Sequence, residues 1–158
     1  MSIKVIMNDD AFFKKGFLIS TDTALLNITL IHHFLDQLSY WGKGISLQTV
    51  QTSIQNSLCF GVYQHQKQVG FARLVTDKAT FAYLCDVFIL PDFRKSGLSK
   101  WLLQTIRHHP DLQNLRRWTL ATADAHGLYE QFGFMRMKNQ DRWMEIFQPQ
   151  LQNSEEST

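Results

Sequence analysis

The stretch DVFILPDFRKSGLSKWLL, residues 86–103, decides the fold. An apolar run over Val87, Phe88, Ile89 and Leu90 stops at Pro91 and crosses a short basic turn. Beyond it, Leu98, Trp101, Leu102 and Ile106 recur at three- and four-residue spacing, one stripe of a helix that Pro110 ends. A strand feeding a helix through so short a turn leaves the backbone N–H groups of Lys95, Ser96, Gly97, Leu98 and Ser99 without partners of their own. The helix dipole adds about half a positive charge at that point. Arg94 and Lys95 bring two more cations, and Gly97 permits positive φ or close approach to a ligand. By itself the stretch fits both a phosphate cradle and an ordinary strand-to-helix turn.

Further along, an apolar run over 118–121 leads into TADAHGLYEQFGF, residues 122–134, read as a short helix, a glycine turn and a strand. Towards the N-terminus, Phe17–Ser20 reads as a strand. Asp22 is placed to cap a helix whose stripe is Ile28, Ile31, Leu35 and Leu38 and which ends near Trp41 and Gly42. Ser46 caps a second helix with Leu47, Val50 and Ile54 inward. Leu58–Gln64 and residues 69–76 form a hairpin, Asp77 and Lys78 turn the chain, and 79–90 is a long strand. Closing strands are expected at 134–137 and 143–147. The result is an α/β domain with a mixed sheet, occupying residues 1–147.

Residues 148–158 are polar and read as a frayed tail. Residues 1–15 are left open: Ile3, Val5 and Ile6 suit an extra edge strand, while Phe12 and Phe13 suit a cover over the core.

A chain of 158 residues can bury about two thirds of its unfolded surface without disulfides or metals. Sixteen basic against 14 acidic residues leave a net charge of +2, too little for a nucleic-acid surface, and Arg116 with Arg117 reads as a solvated loop. Cys59 and Cys85 lie in apolar runs as structural thiols, and neither they nor the six histidines show metal-ligand spacing. No metal is expected. Without a signal-peptide core or an apolar run of membrane length, a cytoplasmic protein with no membrane partner is expected.

An Arg-x-x-Gly-x-Ser turn after a long strand, followed by a strand and a helix carrying Leu128, Tyr129 and Glu130 and ending in Phe-Gly-Phe, resembles the Gcn5-related N-acetyltransferase (GNAT) family. The resemblance covers roughly residues 17–147 and implies a three-layer domain with a mixed, mostly antiparallel sheet flanked by helices. It also implies acetyl transfer from acetyl-CoA to a primary amine of a small molecule or peptide, with a homodimer as a common assembly. A non-catalytic acyl-CoA-binding module is the competing reading.

On this resemblance the pyrophosphate is held by Arg94, Lys95, Ser96, Gly97, Leu98 and Ser99, and the pantetheine arm by the edge of Val87, Phe88 and Ile89. Two positions depart from the family pattern: Ser99 stands where glycine or alanine is common, and Thr122 where asparagine is common. At Thr122 the side-chain amide contact to the pantetheine arm is either missing or replaced by a shorter hydroxyl. Tyr129 stands at the place of the acid that protonates the leaving thiolate; its other reading is a packing residue whose hydroxyl reaches water.

An alkylammonium of pKa about 10.4 must lose its proton at a cost of about 4 kcal/mol near neutral pH. Asp86, which interrupts an apolar strand, is the candidate acceptor of that proton. It suits equally a loop cap, a partner for Arg73, or a seat for the substrate ammonium while water takes the proton. Tyr40 and Trp41, in the 39–44 turn, are expected to line the acceptor pocket. Arg73 would either hold a substrate carboxylate or pair with Asp86 or Asp77 across the sheet. His32, His33 and His126 are given no role.

Overall fold

The computed structural model describes residues 10–149. Five strands, β1 (Phe17–Ser20), β2 (Leu58–Gln64), β3 (Lys67–Thr76), β4 (Phe81–Ile89) and β5 (Arg117–Thr119), lie in the order of the chain. The first three pairings are antiparallel and β4–β5 is parallel. Parallel pairing needs a crossover, and the helix foreseen from its apolar stripe supplies it: α4 (Leu98–Arg107) buries Leu98, Trp101, Leu102 and Ile106 against one face of the sheet. Their partners there include Ile19, Phe60, Val62, Ala72, Leu74 and Leu84. Helices α2 (Ile28–His33) and α3 (Leu47–Gln55), with the turn that continues α2, cover the opposite face with Ile31, Phe34, Leu35, Val50 and Ile54 against Cys59, Phe71 and Phe88. The chain thus forms the three layers of a mixed α/β fold.

The short helix α1 (Asp10–Lys14) decides part of the open N-terminal question, because Phe12 stacks on Trp101 with ring centroids 4.5 Å apart and Phe13 meets it edge-on at 6.2 Å. The edge strand considered for Ile3, Val5 and Ile6 lies outside the described residues.

Three local expectations are corrected. Asp22 caps a single 3₁₀ turn, Thr23–Leu25, by accepting from the Ala24 N–H, whereas Asn27 caps α2 by accepting from Leu30. Asn and Asp are equally good caps, so the stripe alone could not choose between them. Helix α2 does not stay α-helical to Trp41 but widens into a π-helical turn, Phe34–Leu38, closed by the Ser39 N–H on the Phe34 carbonyl. The expected closing strands at 134–137 and 143–147 are not formed among the described residues. Side-chain contacts hold that segment instead: Phe134 meets Trp118 and Tyr129 edge-on, and the Arg117 guanidinium lies 4.8 Å from the Trp143 ring centre. No helix among the described residues is long and apolar enough to cross a membrane.

Close packing of β3 on β4 requires glycine at position 70, where an added Cβ would lie 2.6 Å from Ile89 Cδ1 and 3.0 Å from the Phe88 carbonyl oxygen. Gly127, in helix α5 (His126–Glu130), faces open space. Gly70→Ala is therefore expected to cost about 1–3 kcal/mol of stability by overpacking. Gly127→Ala should add about 0.5–1 kcal/mol through helix propensity. Urea unfolding followed by far-UV circular dichroism reads both, and a shift of the same sign in the two variants would contradict this account of the packing.

Candidate active site

Strands β4 and β5 are paired only over Phe81, Ala82 and Tyr83 against Arg117, Trp118 and Thr119. Beyond Tyr83, β4 runs on to Ile89 while the chain after Thr119 leaves the sheet towards α5. A cleft of about 450 Å³ opens between them, lined on one wall by Leu84, Cys85, Asp86 and Val87 and on the other by residues 121–125 and Tyr129. Tyr40 and Trp41 lie across it. The β4 backbone that faces this cleft has lost its β5 neighbour, which frees amide groups to meet an extended ligand.

Asp86 marks the place where β4 changes course. Ala82 and Leu84 pack towards α4, and simple alternation would send Phe88 the same way, yet Phe88 packs with Phe34 and Phe71 on the other face. The register explains this: Arg73 pairs with Cys85 and Phe71 with Phe88, so β4 carries one extra residue. Asp86 takes that position at φ +53°, a left-handed conformation that costs a non-glycine residue of order 1 kcal/mol and that aspartate tolerates better than most.

The bulge turns the Asp86 carboxylate towards Arg73, whose Nε donates to Oδ2 at 2.8 Å, with the two side chains 17% and 11% exposed. A second guanidinium nitrogen, Nη1, donates to Ser57 Oγ at 3.1 Å. Asp77, the other partner considered for Arg73, is spent on the β3–β4 turn: it accepts from the N–H groups of Ala79, Thr80 and Phe81 and from the Thr80 hydroxyl. Those donors hold its carboxyl well below the usual carboxylate range, the Thr80 hydroxyl foremost. Arg73 does not line the cleft.

The 39–44 turn is fastened to both walls. Trp41 Nε1 donates to Asp86 Oδ1 at 3.1 Å on the β4 side, and Tyr40 Oη accepts from the Ala123 N–H at 3.0 Å on the other. Ser39 stiffens this strap, donating to the Leu35 carbonyl and accepting from the Gly42 N–H. Asp36 secures its end by accepting from the Gly44 N–H at 2.8 Å.

Tyr129, on α5, looks into the same cleft and packs edge-on against Phe134 at 5.9 Å. Burial pushes its hydroxyl up to about 12, helped by Tyr40 and Asp124 nearby, so it stays protonated at any ordinary working pH. Burial also lifts the Cys85 thiol to about 12 in spite of the Arg73 cation, which leaves it a poor nucleophile although it lines the cleft. Cys59 is raised to about 12 for the same reason.

The basic turn after β4 is built on two left-handed residues. Lys95 and Gly97 both have positive φ, +61° and +84°, and Gly97 is the N-cap of α4 with no side chain to satisfy the first-turn N–H groups. Arg94 is tied back by its Nε to the Ile89 carbonyl at 3.0 Å, and the Ser96 hydroxyl donates to the Phe93 carbonyl, so both side chains shape the turn. Thr122 Oγ1 accepts from the Ala125 N–H at 3.1 Å and supports the bend into α5.

Three features escaped the sequence. Tyr83 shares a face with Cys85 by strand alternation and could have been found from that period alone. The Ala123 N–H owes its importance to the Tyr40 hydroxyl and Asp124 to the cleft it lines beside Tyr129, for which no local signal exists.

Comparison with known proteins agrees with this geometry. The family model described as an acetyltransferase (GNAT) domain matches residues 55–136. A Gibberella zeae protein provisionally named an acetyltransferase is 31% identical over 133 residues, covering 72% of this chain and 75% of the relative. The crystal structure of a provisionally named GNAT-family acetyltransferase from Xanthomonas campestris superposes with a TM-score of 0.85 at 49% identity, covering 87% of this chain and 97% of that one. Glucosamine-6-phosphate N-acetyltransferase from Arabidopsis thaliana shares the fold alone, with a TM-score of 0.59 at 14% identity over 84% of this chain and 97% of its own. On the matched domain and these two closer relatives, the chain belongs to the GNAT acetyltransferase family.

Proposed function

We propose that the protein transfers an acetyl group from acetyl-CoA to a primary amine by direct attack, with Tyr129 as the acid and Asp86 as the group that handles the amine proton. The observation that carries this reading is that the Asp86 carboxylate and the Tyr129 phenol line one cleft, from opposite walls, where β4 loses its sheet partner. Acetyl-CoA suits the residues present: an uncapped helix start at left-handed Gly97 for the pyrophosphate, and an unpaired strand edge for the pantetheine amides. When bound, acetyl-CoA supplies an activated thioester.

The residues divide the remaining work. The β4 edge at Val87 and Phe88 orients the acyl group and offers N–H groups to its carbonyl oxygen. Asp86 keeps accepting capacity beyond its bonds to Arg73 and Trp41, because each carboxylate oxygen has two lone pairs. It can therefore draw the ammonium into place and take its proton, directly or through water. With Tyr129 raised to about 12, complete proton transfer to a thiolate of pKa near 8.5 would be uphill by about 5 kcal/mol. The proton therefore moves in concert with C–S cleavage, which supplies the driving force, rather than to a thiolate already released. The Arg73 pair holds the carboxylate in the bulged conformation in which it faces the cleft.

Thiol release from acetyl-CoA with a panel of amines tests the reading. Tyr129→Phe should lower kcat by about 10²–10⁴ while leaving acetyl-CoA affinity within about threefold. Saturable acetyl-CoA binding with no turnover on any amine would overturn catalysis in favour of an acyl-CoA-binding module. The acid works in its protonated form, which prevails below its pKa of about 12. Ionisation of Tyr129 should therefore produce no fall in kcat up to pH 10, and rates should rise with pH as the amine deprotonates. A fall below pH 10 that vanishes in Tyr129→Phe would contradict this.

Arg73→Met should destabilise the fold by about 3–5 kcal/mol by stranding a buried carboxylate, and the added Asp86→Asn should recover much of that loss. Urea unfolding of both variants measures it. Gly97→Ala should weaken acetyl-CoA binding about tenfold, since a methyl group at φ +84° is strained by about 1–2 kcal/mol even though it would meet Phe12 at an ordinary contact distance of 3.5 Å.

A further inference from the structure

We propose that the acceptor carries a second positive charge, a diamine or polyamine, bound through Asp124 and the aromatic faces that surround Asp86. This rests on the amine-acetylation reading and names its substrate class. The cleft is walled by Tyr40, Trp41, Tyr83 and Tyr129, and its charged lining residues are Asp86 and Asp124. No lysine, arginine or histidine lines it. Lys43, close to Trp41 in the chain, stays out of the lining, and Arg73, on the strand beside β4, is engaged by Asp86 and Ser57.

The two carboxylates are therefore not equivalent. Asp86 is neutralised by Arg73 at 2.8 Å, whereas Asp124 makes no ion pair among the described residues. The cleft holds one net negative charge, at Asp124, and four aromatic side chains in its lining. A ring face attracts a cation and also packs well against methylene groups. An amine seated at Asp86 and joined through methylene groups to a second ammonium meets a matching charge at Asp124, while the β4 edge stays with acetyl-CoA. An acceptor bearing a carboxylate or a phosphate would enter a negative field and meet no cation to receive it.

The test compares kcat/KM for putrescine, butylamine and γ-aminobutyrate, acceptors of equal chain length whose far ends are cationic, neutral and anionic. Putrescine should exceed butylamine by about tenfold or more, and γ-aminobutyrate should fall below butylamine by a similar factor, as expected for one close charge contact. Asp124→Asn should cost putrescine about tenfold and bring its kcat/KM towards that of butylamine, with Asp124→Glu restoring the preference. Equal use of the three acceptors, or a preference for γ-aminobutyrate, would overturn the substrate class while leaving amine acetylation standing. Absence of thiol release with every amine tried would overturn both.

Discussion

Strand β4 serves two cores with a single alternation, and one extra residue makes that possible. Upstream of Asp86 its even-numbered residues feed the core under α4; downstream, Phe88 feeds the core under α2 and α3, stacked on Phe34 at 3.8 Å. The parity break falls where β5 has already left, so the strain of a left-handed aspartate sits at the mouth of the cleft. Both cores are filled by residues whose sides are set by this count, which makes the bulge a property of the whole domain.

Electrostatics then fix what the bulge began. A carboxylate that is 11% exposed in an otherwise apolar strand would be costly alone, and Arg73 on the neighbouring strand removes most of that cost. The same contact consumes the cation that would otherwise have offered itself to a substrate anion. One arginine thus stabilises the fold and sets the sign of the cleft.

Much of this was legible in the sequence because its determinants are local. The stripe of α4, the Ser46 cap of α3, the β2–β3 hairpin and the left-handed Gly97 each depend on residues a few positions apart, and each stands where the residue pattern put it. Tyr129 became a candidate through the family's order of motifs and Asp86 as a charge interrupting an apolar strand, and Arg73 with Asp86 was one of the pairings the sequence left open. What escaped depended on distant partners. The π-helical widening at Phe34–Leu38 has no composition of its own, and the choice of Asn27 over Asp22 as the cap of α2 turned on the backbone path between them. Residues 134–147 have the alternation of strands but make no ladder with β5, which is three residues long. Alternation specifies a face; it does not supply an edge to pair with.

The strap over the cleft has a mechanical consequence. Past Tyr83 and Thr119 no backbone bond ties the two walls together, so their separation would be free to breathe but for the crossing loop. Tyr40 grips one wall, Trp41 the other, and their rings brace each other edge-on with centroids 5.0 Å apart. The loop therefore acts as a spacer that sets the gauge of the opening. Relatives that differ only in that loop would differ in the calibre of molecule they admit, with the machinery on either side unchanged.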